Sequence, residues 1–181
     1  AVADEREHVA DLPRLDAPAP GSVERPIARV VAAHHAIEGA GFAVWRPFPG
    51  GVESHLADPF FLLDQLGPVD YAPNEAVGAP WHPHRGFETV TYMLDGRTRP
   101  EDSFGHVGEI GPGDVQWMTA ARGIIHSEMP QQTEGRMRGF QLWINLPSRE
   151  KMKPAAYRDI PSREIPTVAL AGGGELRVIA G

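Results

Sequence analysis

Two stretches of the chain decide its fold: GAPWHPHRGFETVTYMLDG at residues 78–96 and IGPGDVQWMTAARGIIHSEMP at residues 110–130. The first contains His82 and His84 with one residue between them, and the second contains His126 and Glu128 at the same spacing. In an extended strand, residues i and i+2 point to the same face. Each pair can therefore present two ligand atoms to one point, and two adjacent strands would bring four ligands together.

The residue types of these two pairs predict the kind of metal. Three imidazoles and one carboxylate suit a divalent transition metal such as Fe, Ni, Cu, Mn or Zn, whereas Ca and Mg prefer oxygen ligands only. A single His-x-His is weak evidence by itself, because histidine is also an ordinary polar core residue. The alternative from the residues alone is that His82 and His84 lie in a loop beside Pro83 while Glu128 is solvated.

Composition excludes several classes of function. The 181 residues suffice for one domain with a buried core. With 17 basic and 24 acidic residues the net charge is −7, which argues against a nucleic-acid-binding protein. The chain has no cysteine, so it has neither a disulfide framework nor a thiol nucleophile. No apolar run approaches the roughly 20 residues of a membrane span, and no signal-peptide pattern is present. We therefore expect a cytoplasmic protein.

The rest of the sequence predicts an all-β protein. Its 20 glycines and 18 prolines suit many short strands joined by turns. The clearest strand is MRGFQLWINL at residues 137–146, which alternates Phe140, Leu142 and Ile144 with Gln141, Trp143 and Asn145. No segment has the period and length of a helix. These features predict an antiparallel barrel or sandwich.

Two further expectations concern residues close to the histidine pairs. If the strand that holds His84 continues without a break, Gly86 and Glu88 lie on the same face as the histidines. Glu88 would then look into the interior beside the metal. Asp64 interrupts the apolar run 59–66, and we interpret it as a hydrogen-bonded carboxylate at the edge of the core rather than as a catalytic group.

Long segments of the sequence resemble the pirin family of the cupin superfamily. The matching runs are DPFFLLDQLGP, WHPHRGFETVTYMLDG, PGDVQWMTAARGIIHSEMP and FQLWINLPSREKMKP, within a resemblance that extends from Arg46 to Ile179. Pirins are bicupins, so the resemblance implies a cupin β-barrel (an antiparallel double-stranded β-helix, or jelly roll) that is the N-terminal half of a bicupin. The implied division is a flexible arm over residues 1–25, an N-terminal cupin barrel over 26–147, and a connector with the start of a truncated or missing second barrel over 148–181.

The resemblance also implies roles for individual residues. It gives four metal ligands, His82, His84, His126 and Glu128, the same set that the spacing selects. Glu88 matches the general cupin glutamate position, and we expect it beside the site or in its pocket. Three apolar residues are candidates for a pocket wall, with plain core packing as the alternative for each: Phe60, Trp117 and Met118.

Two functions are compatible with this ligand set. Pirins resemble quercetin 2,3-dioxygenases, which implies an iron-dependent enzyme that opens a flavonol or related enediol with O2. In that case Glu128 is the catalytic residue that accepts the substrate proton. The alternative is a non-catalytic, redox-dependent regulator that binds a transcription factor or a metabolic enzyme. The same four residues serve both hypotheses, and neither implies direct nucleic-acid binding or a membrane.

Overall fold

The computed structural model describes residues 29–131 and 134–180, together with Gly21, Pro26 and Ile27. The chain divides into two compact units, one formed by Val31–Glu164 and the other by Ala1–Val30 with Ile165–Gly181. The predicted N-terminal arm, residues 1–25, lies outside the described residues except for Gly21.

Strands dominate the larger unit. In chain order they are β1 (His34–Glu38), β2 (Phe42–Phe48), β3 (Phe60–Tyr71), β4 (Ala79–His84), β5 (Phe87–Asp95), β6 (Thr98–Asp102), β7 (Val115–Thr119), β8 (Ile124–Pro130), β9 (Gly135–Asn145) and β10 (Ala156–Ile160). Helix is limited to one turn of α-helix, α1 (Ser54–Ala57), and two 3₁₀ turns, Ser148–Glu150 and Ser162–Glu164, among the described residues. None of these helices is long and apolar enough to cross a membrane.

The strands form two antiparallel sheets. The larger has the order β1-β2-β3-β9-β5-β7-β10, and the smaller has the order β4-β8-β6. The sheets face each other, since the Gln141 amide on β9 donates a hydrogen bond to the Glu128 carboxylate on β8. The ring of His84 on β4 lies 5.1 Å from that of Trp143 on β9. The prediction of an all-β antiparallel fold is confirmed, as an open jelly roll rather than a closed barrel.

Two apolar clusters of the larger unit hold this arrangement together. Met93 on β5, Ile110 and Met137 on β9 form one, with Tyr71 packed against it. The other consists of Met118, Ala120 and Ile124, with Ala155 and Tyr157 at its side. Burial of such side chains stabilises the fold by about 1.5–3 kcal/mol for each large one.

Strand β10 departs from the sequence prediction. It lies within the predicted connector over residues 148–181, yet it pairs with β7 and extends the larger sheet. Ile160, at the end of β10, is buried. The strand was not apparent because it has only five residues, and its charged Arg158 and Asp159 interrupt the apolar signal.

The smaller unit contains a two-stranded antiparallel hairpin among its described residues. It consists of β11 (Thr167–Ala169) and β12 (Glu175–Arg177), in register from Thr167 opposite Arg177 to Ala169 opposite Glu175. The backbone N–H of Leu170 donates to the carbonyl oxygen of Gly174 at 3.1 Å and closes the turn.

Candidate metal centre

Three histidines converge because β4 and β8 are neighbours in the smaller sheet. His82 and His84 lie on one face of β4, as their spacing predicts. The strand register places His126 of β8 directly opposite His82, and residues directly opposite in an antiparallel pair share a face. All three imidazoles therefore point to the same side of the smaller sheet.

The ring nitrogens of these histidines meet at one point. The Nε2 atom of His82 lies 3.0 Å from the Nε2 atom of His84 and 3.0 Å from that of His126. Within this three-histidine group, one ligand nitrogen from each ring lies within 4.8 Å of the other two. Two nitrogens bound at right angles to one ion, each at about 2.1 Å, are about 3.0 Å apart. The geometry therefore fits a shared transition metal.

Hydrogen bonding and burial leave the histidines ready to act as ligands. The Nδ1 atom of His82 is 2.7 Å from the carbonyl oxygen of Pro80, which can only accept, so Nδ1 carries the proton and the Nε2 lone pair is free. Burial, together with the neighbouring His126 and His82, lowers the pKa of His84 to about 4. Burial likewise lowers the pKa of His126 to about 4, together with His82. Both rings are neutral at pH 7, as metal binding requires.

Glu128 lies in the same cavity but outside the three-histidine group. It follows His126 by two residues on β8 and pairs with Ala79. Both of its carboxylate oxygens accept hydrogen bonds from the Gln141 amide, at 3.2 and 3.1 Å. The hydroxyl of Thr91 donates to the same carboxylate at 3.4 Å. The carboxylate is thus held by the larger sheet, beside the histidines.

Gln141 and Trp143 were not among the sequence-predicted site residues, although both line the cavity. The indole N–H of Trp143 donates to the Gln141 side-chain oxygen at 3.1 Å. The sequence alternation had already placed both residues on one face of β9, opposite the face that carries Phe140, Leu142 and Ile144. Nothing in the sequence indicated that this face of β9 lines the cavity, because that depends on how the two sheets pack.

The cavity beside the histidines has a volume of about 570 Å³, within the range of small-molecule sites. Trp81 lines it and is about half exposed. At another part of the wall, the Arg46 guanidinium forms two hydrogen bonds of 2.6 Å with buried Asp64. Glu38 pairs with Arg46 as well, and the two carboxylates raise the pKa of Arg46. The interpretation of Asp64 as a hydrogen-bonded carboxylate is confirmed.

The expected position of Glu88 is corrected. Glu88 does not share a face with the histidines: its carboxylate accepts hydrogen bonds from the Trp117 indole at 3.0 Å and the Thr119 hydroxyl at 2.7 Å. The strand register places Glu88 opposite Ile144. Its side chain therefore lies on one face of the larger sheet, and Thr91 and Gln141 lie on the other face. The cause is a break after His84, where Gly86 has a φ of 85° and the alternation restarts.

The remaining three predicted pocket residues lie away from the cavity lining. Trp117 shares the outward face with Glu88. Met118 faces inward but is fully buried in the core with Ala120 and Ile124. Phe60 borders a different groove, together with Phe48 and α1. For Met118 the alternative of plain core packing describes the observed position.

Comparison with known proteins gives consistent results. The family model described as Pirin matches residues 41–144. A Pseudomonas aeruginosa protein named as a candidate quercetin 2,3-dioxygenase is 53% identical over 160 residues, covering 87% of this chain and 54% of that protein. The structure of quercetin 2,3-dioxygenase from Acinetobacter baumannii aligns with a TM-score of 0.78 and 42% identity, over 83% of this chain and 55% of that one.

A further solved structure contains a metal. The bacterial pirin YhhW from Escherichia coli, in complex with nickel(II), aligns with a TM-score of 0.55 and 26% identity, over 70% of this chain and 53% of that one. These neighbours confirm the cupin-type jelly roll. The chain spans about half the length of the curated relatives it matches.

Proposed function

The chain belongs to the pirin family, and from this premise we propose that it is a cytoplasmic, iron-dependent dioxygenase that opens a flavonol or related enediol with O2. The proposal takes His82, His84, His126 and Glu128 as the iron ligands, and Glu128 also as the residue that accepts the substrate proton. The observation that carries it is the meeting of the three Nε2 atoms of His82, His84 and His126 at the edge of a cavity large enough for a small molecule.

The chemistry of the ligand set supports this reaction class. A bound divalent ion supplies positive charge that lowers the pKa of an enol or phenol hydroxyl beside it. Glu128 lies in the same cavity as the histidines, so its carboxylate can accept the proton that such a hydroxyl loses. Fe is the metal that we propose first. Ni, Cu, Mn and Zn remain compatible with the same donors, and the related YhhW structure contains nickel(II).

The cavity wall suits a flat, uncharged, hydroxylated substrate. Trp81, Trp143 and Phe42 supply aromatic surface on which such a ring can pack. Among the described residues that line the cavity, Arg46 is the one permanent cation, and Asp64 and Glu38 already pair with it. An anionic substrate would therefore find no unpaired positive side chain there, whereas a polyphenol needs none.

A single-turnover assay tests the proposed activity. The protein is loaded with Fe²⁺ without oxygen, the bound iron is counted, and quercetin and O2 are added while the flavonol absorbance and carbon monoxide release are followed. We expect both signals from wild type and from His55→Ala, whose side chain is exposed and outside the site, but neither from His126→Ala.

The contrary outcome is informative. If the protein binds one iron per chain and yet neither consumes quercetin nor releases carbon monoxide, the dioxygenase proposal is refuted. The same centre would then be assigned to the alternative, a metal-dependent regulator that binds a transcription factor or metabolic enzyme.

A further inference from the structure

We propose that Glu38 binds a neutral hydroxyl group on a part of the substrate remote from the metal, and so selects polyphenols that carry hydroxyls on a second ring. This role rests on the proposed function and adds to it a residue that determines specificity. Glu38 is the last residue of β1 and lines the same cavity as His82 and His84.

A row of polar side chains crosses the inward face of the larger sheet, from the metal centre to Glu38. Asp64 of β3 lies directly opposite Gln141 of β9, so both side chains share that face. The Arg46 guanidinium of β2 donates to Asp64, and its Nη2 atom also lies 2.6 Å from Oε1 of Glu38. Because β2 and β3 separate β1 from β9, the strand of Glu38 lies about 14 Å from that of Gln141 across the sheet.

Exposure to solvent rises along this row. The side chain of Asp64 is 7% exposed, that of Arg46 is 17% exposed and that of Glu38 is 40% exposed. Glu38 therefore lies at the outer end of the cavity. This position favours a substrate with a second ring over a single small ring, since only the larger molecule extends from the metal toward Glu38.

The two ends of the cavity differ in the sign of their charge. Both Asp64 oxygens accept hydrogen bonds from Arg46, while Glu38 contacts Arg46 through Oε1, and its Oε2 has no hydrogen-bond partner among the residues that the structure describes. One guanidinium thus faces two carboxylates, and one negative charge is unbalanced. A divalent ion held by imidazoles and one carboxylate keeps a positive charge instead. The metal end therefore favours a deprotonated group of the substrate, and the Glu38 end favours a neutral hydroxyl that donates a hydrogen bond.

Loss of the Glu38 carboxylate should remove this preference. Quercetin and 3-hydroxyflavone share the hydroxy-ketone group that chelates a metal, but only quercetin carries hydroxyls on its other rings. We expect Glu38→Leu to bind quercetin about tenfold more weakly than wild type, because it loses a hydrogen bond to a charged group. Its affinity for 3-hydroxyflavone should equal that of wild type.

Equilibrium binding to the Ni²⁺-loaded full chain, without oxygen, measures this difference, since the absorbance of a flavonol shifts when a metal chelates it. Glu109→Leu is the matched control, because exposed Glu109 pairs with Arg97 at 2.8 Å and does not line the cavity. Glu38→Gln is a second variant. Its amide oxygen can replace Oε1 beside Arg46, but a nitrogen that cannot accept a hydrogen bond then replaces Oε2, so this variant should also lose affinity for quercetin.

The ratio of the two flavonol affinities isolates the contact of Glu38 with the remote hydroxyl, because an unchanged affinity for 3-hydroxyflavone shows that a variant retains its fold and its metal. Equal losses for both flavonols, or no loss for quercetin in either variant, would overturn the inference while wild type still binds flavonols. If the Ni²⁺-loaded wild type binds neither flavonol, the proposed substrate class is refuted as well, so the two failures are distinguishable.

Discussion

Acidification of the metal-free protein should reduce its free energy of unfolding steeply, because two histidines resist protonation only in the folded state. Burial lowers the pKa of His84 and of His126 to about 4, whereas an unfolded histidine has a pKa of about 6.5. Between these values the unfolded chain binds more protons, so the free energy of unfolding falls as the pH falls. Above about pH 7.5 both rings are almost entirely neutral in both states, and the effect disappears.

The size of the effect follows from the proton count. At pH 5 an ordinary imidazole is about 97% protonated and one with a pKa of about 4 is about 9% protonated. The unfolded chain thus holds roughly 1.8 more protons on these two rings, which gives a slope of about 2.4 kcal/mol per pH unit. From pH 7 to pH 5 the loss is about 4 kcal/mol, a large part of a typical domain's stability.

Urea unfolding with a chelator present, followed by circular dichroism at pH 7, 6 and 5, measures this slope. The control is the double variant His84→Asn with His126→Asn, which removes both titrating rings and leaves the other acidic and basic groups unchanged. The slope of wild type near pH 5 should exceed that of the variant by about 2 kcal/mol per pH unit. Equal slopes would refute the conclusion that the two rings are neutral because they are buried.

Three further substitutions test the surroundings of the site. Gly78→Ala should weaken Ni²⁺ binding at least tenfold, because a Cβ at this position would meet a backbone carbonyl oxygen of β8 at 2.4 Å. An unchanged Ni²⁺ affinity in calorimetric titration would contradict this close contact between the two strands. Arg46→Met should lower the free energy of unfolding by about 3 kcal/mol or more, because it leaves the Asp64 carboxylate buried and unpaired. Asp64→Asn should lower it by less than half as much. Equal losses for the two variants in urea unfolding would refute this asymmetry. His82→Ala should reduce the Ni²⁺ affinity about 100-fold or more. His55 is exposed, so the control His55→Ala should bind Ni²⁺ as wild type does. Equal Ni²⁺ affinities for the two variants would exclude His82 as a ligand.

The ligand pairs could be predicted from the sequence because their chemistry is local. A spacing of two in a strand determines which side chains share a face, so His82 and His84 could be grouped without knowledge of the fold. The position of His126 opposite His82 depends on strand register, which includes an irregularity between Ala79 and His82. Spacing and residue type combined the two pairs into one candidate ligand set, and the resemblance to a known family implied the same four residues.

The misplacement of Glu88 shows where such parity arguments fail. They assume one continuous strand, whereas the chain leaves β4 at His84 and starts β5 at Phe87, with Gly86 at a positive φ between them. Glycine adopts a positive φ at low energetic cost, so the sequence alone does not reveal whether Gly86 does so. Past the break, odd-numbered residues such as Thr91 face the site.

Gln141 could not be assigned from sequence for a different reason. The alternation of β9 placed it correctly on the face shared with Trp143, but its partner Glu128 belongs to the other sheet. Contacts between sheets depend on how the two faces pack, which is a property of the whole fold and not of either strand. A glutamine in a strand therefore gave no indication that it would hold a carboxylate.

The central claim is that three histidines from β4 and β8 bind one ion. Anomalous diffraction from a crystal of the Ni²⁺-loaded protein tests it most directly, since the signal locates the metal independently of the protein coordinates. We expect one anomalous peak about 2.1 Å from the Nε2 atoms of His82, His84 and His126. A fully loaded crystal with no peak among these three atoms, or with its peak bound to other side chains, would contradict it.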